Sequence, residues 1–332
     1  MGNFTADAHD HWEFTESELG DETIIWRGLP RLVEIERANN GGFADAIDLL
    51  NKFEYPDQPT DIQVWWQESG ANATLTGEWI DDEYDWSSSP CTTLVNSIRG
   101  FKFKIWDDPE QESQLLVYGD IINPETDLEV DYDVVGDENW FCYFRTETQN
   151  APLAFDSATL GKLKEIRTKN WVATKFKDVW GWPPTPTLSY GDLVIVVDDN
   201  EQNNFTFNWQ EPSRDIIKPY VRPVPTYFDY SEELDYIPIF MDFAENVPQE
   251  IGLYLNNVCK GAEVVDTDSL FNLRAYVLNE EPGNELDFVF YNGRSEEYPM
   301  NYQIFTSNGL SSESKLITGK LEDYIFIQFS DP

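Results

Sequence analysis

The sequence predicts a mainly β protein: two related small α+β repeat modules, followed by a C-terminal immunoglobulin-like β-sandwich. Three observations predict it. A tryptophan-bearing strand pattern at Trp26 returns at Trp140, 114 residues later, and each copy leads through a helical stretch to a second Trp-bearing strand and a strand beside a glycine. Beyond residue 236 the pattern changes to short alternating apolar runs, separated by turn signals at Asn256-Asn257, Pro282-Gly283, Asn292-Gly293 and Asn308-Gly309. Strands at that spacing indicate a sandwich. Finally, the chain has 332 residues, 41% of them hydrophobic and 15% aromatic, which is enough apolar surface for several packed cores and too much for a disordered chain.

Taken in order, residues 1–22 form an acidic lead-in without periodicity. The first module spans 23–130. Within it, residues 24–30 read as a strand stopped by Pro30, because a proline carries no N–H for the ladder. Phe43, Ala46, Ile47, Leu50 and Phe53 recur at helical spacing and predict a helix over 43–53. Strands are expected at 62–66, 78–80, 101–105 and 115–118. In the fourth of these five strands, Phe101, Phe103 and Ile105 alternate with Lys102 and Lys104, the pattern of a strand with one polar face. The second module spans 131–210, with strands at 139–144, 171–174 and 188–197. A short helix between the first two carries Leu153, Ala154, Phe155, Leu160 and Leu163. Residues 211–236 hold Pro212, Pro219, Pro223 and Pro225 among acids, the composition of a stiff, extended linker. The sandwich follows over 237–332, with strands at 237–243, 250–256, 261–265, 270–278, 286–291, 301–306, 314–318 and 323–329.

Charge narrows the function classes. Asp and Glu number 62 against 22 Lys and Arg, a formal net charge of −40. Nucleic-acid affinity comes mainly from Lys and Arg neutralising phosphates, so a surface this acidic excludes that class. Anionic lipid surfaces repel it for the same reason. No run of about 18 apolar residues marks a membrane span. Met1-Gly2 followed by polar residues is not a signal-peptide pattern, which fits a start placed after a removed leader. The three cysteines, Cys91, Cys142 and Cys259, are widely spaced with no CxxC, which argues against a zinc site. Their apolar or small neighbours suggest buried thiols, with one disulfide as the alternative.

The chemistry that the sequence offers is limited. Serine or cysteine nucleophiles need a nearby histidine, and the only histidines, His9 and His11, lie in the lead-in. There is no phosphate-cradling glycine loop and no HExxH. Paired carboxylates are the remaining catalytic option, with Glu78 beside Trp79 and Glu138 beside Trp140 as examples. The plain alternative is a solvated acid next to a core aromatic. For ligand binding without chemistry, Trp65, Trp66, Trp79, Trp86, Trp180 and Trp182 are the candidates, since exposed indoles stack on sugar faces while neighbouring acids and amides bond the hydroxyls. In a strand adjacent side chains point to opposite faces, so only one of Trp65 and Trp66 belongs to the core by this rule. Core packing is the alternative for all six. No cofactor is indicated except calcium, for which Asp198, Asp199, Asn200 and Asn203 form an oxygen-rich turn and Asp81, Asp82, Glu83 and Asp85 a second acid cluster. A solvated polar loop is the alternative in both places.

These motifs carry a resemblance. Trp26-Arg-Gly-Leu-Pro30 and Trp140-Phe-Cys-Tyr-Phe144, with the helical stretch Ala46 to Leu50 and the closing strands at Gly100-Phe101-Lys102 and Tyr190-Gly191-Asp192, resemble a repeat of bacterial secreted proteins. Its hallmark strand reads roughly Gly-Trp-Asn-Leu-Ile-Gly-Tyr-Pro. No glycine precedes either tryptophan here, and only the first copy has the proline. The segment Glu250 to Ala262, with Asn257-Val-Cys-Lys-Gly261 inside it, resembles a β-sandwich module of surface proteins from Bacteroidetes-like bacteria, in which a strand and tight turn precede Glu-Cys-Arg-Gly. The resemblance implies an exported, extracellular or cell-surface protein, and fold rather than activity. The expectation is a non-catalytic module, a spacer, display or adhesion segment of a larger protein, whose partner is a glycan or another surface protein. A carbohydrate-binding protein is the alternative, and an acid/base glycosidase the remote one.

Overall fold

The computed structural model describes residues 11–16, 23–28, 31–32, 44–45, 61–68, 71–80, 83–88, 94–95, 97–106, 113–118, 120–132, 138–176, 178–199, 204–212, 220–243, 247–265, 271–299, 301–306 and 309–329. The fold is mainly β, and the chain divides into two compact units. One comprises Met1–Trp180 with Thr185–Tyr220, the other Gly181–Pro184 with Val221–Pro332.

The first unit holds two five-stranded sheets. In one, β1 (Thr23–Gly28), β2 (Asp61–Glu68), β3 (Ala71–Ile80), β4 (Glu83–Ser88) and β5 (Gly100–Trp106) stand in the order β1-β5-β2-β3-β4. In the other, β6 (Glu138–Cys142), β7 (Leu163–Arg167), β8 (Val172–Phe176), β9 (Val179–Gly181) and β10 (Leu193–Asp198) stand in the order β6-β10-β7-β8-β9. Both sheets insert the last strand between the first and second. Short flanking pairs follow the same plan. His11–Glu16 pairs with Ser113–Tyr118 around the first sheet, and Leu128–Val130 with Phe205–Phe207 around the second. Ala44–Asp45 pairs with Leu94–Val95, and Gln149–Asn150 with Thr187–Leu188, at matching places in the connections.

The helix expected over 43–53 is corrected where it is described. Ala44 and Asp45 are strand residues paired to Leu94 and Val95, and the other positions lie outside the described residues. The tertiary pairing overrides the local apolar spacing at those two residues. In the second module the expected helix is a 3-10 turn at Ala151–Ala154 and a six-residue helix, α1 (Ser157–Lys162). Asp156 caps α1 by accepting from the Thr159 N–H at 2.7 Å, the role that short acids play at helix starts. Leu153 is 54% exposed rather than part of the core. The run 188–197 is broken into two strands by Gly191, whose φ of 86° suits glycine.

Strand alternation assigns the faces. In the first sheet Ile25, Val64, Trp66, Phe101 and Phe103 are buried on one side. In the second, Phe141 packs on Phe207, which joins Phe155 and Trp209 in a ring cluster of edge-to-face and tilted contacts at 5.1–5.6 Å. Such geometry suits the ring quadrupole. The opposite faces of the two sheets meet each other, and both strands of each central pair take part. Gly28 N–H donates to Gly191 O at 2.8 Å and Cys142 N–H to Ile98 O at 2.9 Å. Arg27 bridges Asp192 and Arg99 bridges Phe141 in antiparallel fashion. The first strand of each sheet therefore runs on into the entry of the other sheet's last strand.

This junction explains two glycines. Gly28 and Gly100 are cross-strand partners, as are Cys142 and Leu193. A Cβ on Gly28 would fall 2.2 Å from the Cys142 sulfur, and one on Gly100 would fall 2.1 Å from Leu193 Cδ1. The first module supplies the hollows and the second the side chains that fill them.

The second unit is a two-sheet sandwich. Its strands are β11 (Ile237–Phe243), β12 (Glu250–Leu255), β13 (Val258–Val264), β14 (Phe271–Ala275), β15 (Glu285–Tyr291), β16 (Glu296–Glu297), β17 (Tyr302–Thr306), β18 (Gly309–Leu310), β19 (Leu316–Ile317) and β20 (Tyr324–Phe329). One sheet runs β14-β11-β20-β17-β18, with β11 parallel to β20; the other runs β13-β12-β15-β16, with β19 also on β15. Ile239, Met241, Leu273, Ile304 and Ile327 of the first sheet pack with Ile251, Leu253, Leu286 and Phe288 of the second in one core. Asn256 and Asn257 turn between β12 and β13 with φ of 51° and 67°, as a two-residue hairpin of the primed type requires. Immunoglobulin order keeps the first two strands in one sheet. Here β11 and β12 lie in different sheets, so the connectivity departs from that order while the two-layer architecture remains.

The steric match at the junction makes a test. Gly100→Ala alone should cost roughly 1–3 kcal/mol through overpacking, and Leu193→Ala roughly 2–5 kcal/mol through a cavity. The double variant should cost less than the sum by about 0.5–3 kcal/mol, measured by denaturant unfolding. Strict additivity would mean that the two side chains do not share the space.

Candidate functional site

Of the six tryptophans, the four with described side chains are buried or half-buried. Trp66 is 2% exposed and belongs to the first sheet's core, while Trp65 on the opposite face is half-buried. The alternation rule thus separates the pair as expected. Trp180 and Trp182 are half-buried, and Trp180 Nε1 donates to Leu160 O at 3.3 Å. Trp79 and Trp86 stand on β3 and β4, with side chains outside the described residues. Among the described residues, the exposed aromatic rings are tyrosines: Tyr132 at 41%, Tyr227 at 43% and Tyr298 at 65%.

In the oxygen-rich turn, Asp198 ends β10 and is buried, and Asp199 is ion-paired to Lys175 at 2.6 Å. Asn200 and Asn203 lie outside the described residues, as do the side chains of the second acid cluster. Among the described residues, no group of three or more His, Cys, Asp or Glu side chains is placed to hold a metal ion. Cys142 and Cys259 are buried free thiols.

Two clusters gather the charged groups instead. The first lies where the modules meet. Lys102, expected on a polar strand face, has no exposed surface. Cross-strand register sets it beside Trp26 and Trp65, and its ammonium stands 4.1 Å from the ring centres of both Trp26 and Trp140. A cation between two indole faces is attracted by both ring quadrupoles. Around it, Glu138 accepts from Trp140 Nε1 at 2.9 Å and pairs with Arg167, which also reaches Glu165 at 3.4 Å. Lys169 donates to the carbonyl of Ile24, and Arg27 pairs with Asp192 at 2.5 Å. Glu138 beside Trp140, a pairing of the kind that a sugar site uses, is here a link between an indole N–H and a guanidinium.

The second cluster ties residues 221–230 to the sandwich. This segment lies outside the strands and is held by side chains. Arg222 Nε donates to Glu263 at 2.8 Å, and its other nitrogens reach Glu232 at 3.2 Å, Tyr230 Oη at 3.1 Å and Ala262 O at 3.1 Å. Arg274, 3% exposed, donates to the same Glu263 at 3.1 Å. Glu250 accepts from Thr226 N–H at 2.9 Å, Thr226 Oγ1 at 2.8 Å and Tyr227 N–H at 2.9 Å. Phe228, 5% exposed, packs with Cys259, Ala262 and Val289. It lies over Gly252, where a Cβ would fall 2.9 Å from the ring. Tyr227 stacks on Tyr291 with centroids 3.7 Å apart and planes 6° from parallel, and donates to Glu296 at 2.9 Å.

No protein-family model, curated protein or solved structure matches the chain.

The two clusters were not found from sequence, although signals for them exist. Arg222 is one of few bases in an acidic stretch, and Lys102 sits one residue after Phe101 in a strand whose register is readable. Burial on both faces of β5 hides from alternation alone, because the second face is covered by a module more than 35 residues further along.

Burial would push the Glu250 carboxyl up, but the N–H groups of Thr226, Tyr227 and Phe228 and the Thr226 hydroxyl outweigh it and hold it below the usual 4.5. A lowered carboxyl contributes its stabilisation above pH 4.5 and loses it as pH falls through the lower folded value. Amide exchange at Thr226 and Tyr227 should therefore accelerate only below pH 4.5, relative to β12 amides, once intrinsic rates are divided out. Glu250→Ala should give the same acceleration at neutral pH and cost about 1–3 kcal/mol by leaving the donors unpaired.

Proposed function

We propose that the chain is a non-catalytic module of an exported protein, acting as a spacer, display or adhesion segment at the cell surface. One observation carries this reading: the best-organised polar clusters among the described residues are joints. Lys102, Lys169 and Arg27 join two sheets, and Arg222, Glu250 and Glu263 fasten a strap to a sandwich. Groups engaged in this way hold β layers together and are not poised for proton transfer.

The first unit is, in this reading, a duplicated module. Support comes from the common strand order, the matching flanking pairs and the paired contacts at the junction. Arg27 and Phe141 follow the two hallmark tryptophans, and Asp192 and Arg99 precede the two closing strands, so the two bridges are equivalent under exchange of the modules. The net charge of −40 keeps such a protein soluble and repels acidic surfaces, leaving neutral or basic partners.

A glycan reading has a separate support in the tyrosines. Tyr227 is held rigidly against Tyr291 with one side open, and Tyr298 is more exposed still. Flat aromatic faces beside Glu296 suit a neutral pyranose better than a uronic acid.

A panel of neutral and acidic glycans, with and without calcium, tests both readings. The display reading expects no product from any glycan and no effect of calcium. Product formation abolished by a single Glu or Asp substitution would sink it. Saturable binding of a neutral glycan, weakened at least about tenfold by Tyr298→Ala (about 1.4 kcal/mol), would identify the tyrosine surface as the adhesive one.

A further inference from the structure

The segment 221–230 covers the outer face of the β13-β12-β15-β16 sheet in a manner unlike a strand. Its inward residues are Arg222, Pro225 and Phe228, every third position, while Pro223, Val224, Thr226, Tyr227 and Asp229 are exposed. A strand alternates with a period of two; this segment repeats every third residue and bends at Thr226 and Tyr227. Pro223 and Pro225 fix φ at two of its positions. Arg222 and Phe228 each have a seat. Arg222 is received by Glu263 and the carbonyl of Ala262, and Phe228 by the hollow over Gly252, lined by Cys259, Ala262 and Val289. Between the two seats, Glu250 takes the N–H groups of Thr226 and Tyr227, which have no ladder partner to receive them.

We propose that this sheet face is a docking groove for an extended Arg-x-x-Pro-x-x-Phe segment, filled in the isolated chain by its own strap and open, in trans, to the strap of a second copy. The occupant is identified by the seats themselves. A guanidinium is the group that fits a buried carboxylate bidentately, and a strap with a cation at that position is rare in so acidic a chain. The strap leaves as a unit, because no strand ladder is broken when it goes. Two copies exchanging straps would form a closed, two-fold pair.

In cis the strap competes at an effective concentration of roughly millimolar, so the wild type keeps its own. The probe is a fluorescent peptide of residues 220–232, added to the full chain. The variant Arg222→Ala/Phe228→Ala, with its strap disabled, should bind the peptide saturably and at least about 100-fold more tightly than the wild type does. Adding Gly252→Val to that variant should abolish binding by filling the Phe228 seat. A folded strap-disabled variant that does not bind the peptide overturns the proposal, as does binding that Gly252→Val leaves unchanged. If the variant does not fold, the wild type decides by light scattering at about 1 mM. A dimer that excess peptide disperses supports the groove; a monomer overturns it.

Discussion

A lysine ammonium with no exposed surface, held between the indoles of Trp26 and Trp140, is the contact on which the first unit depends. Taking a charge out of water is costly unless it is compensated. Here two ring faces stand 4.1 Å away, one on each sheet. Separating the sheets would take the Trp140 face away from a buried cation, which penalises separation more than apolar contact alone would. The glycine hollows at Gly28 and Gly100 act in the same sense, since they admit Cys142 and Leu193 and little else. Glycines on one sheet face larger residues on the other, and that asymmetry gives the junction a direction.

The sandwich uses carboxylates where the first unit uses a cation. Glu250 and Glu263 are both buried, and both are answered by groups from residues 221–230 or from β14. Among the described acids, these two are buried and answered by fixed donors, in a chain with a net charge of −40. Electrostatics therefore has two roles. The bulk of the acids sets solubility and repels anionic partners, while a few buried charges fix how the β layers are joined.

Strand positions were legible in the sequence through short apolar runs, many of them alternating, between turn residues. The sandwich strands fall close to the alternating runs, and Asn256-Asn257 turns where the asparagine pair stands. The Trp26 and Trp140 strands were legible through their hydrophobic content. What alternation could not reach was whatever depends on a distant element. Lys102 reads as solvent-facing until a second sheet is laid over it, and Ala44-Asp45 reads as helical until Leu94-Val95 pairs with it. Trp66 and Trp65 look alike in sequence, and only register assigns one to the core. The strap hid for a related reason: prolines and acids mark an extended segment, but its period of three has meaning only against the sheet that receives it.

The most direct measurement is calorimetric unfolding of Lys102→Met beside the wild type. Methionine keeps the volume and removes the charge. If the ammonium joins the modules, the transition of the first unit moves down, by an amount consistent with about 1–2 kcal/mol or more for a desolvated cation against two rings, and the sandwich transition stays in place. An unchanged or raised first transition, as when a buried charge is better replaced by an apolar group, would contradict the account.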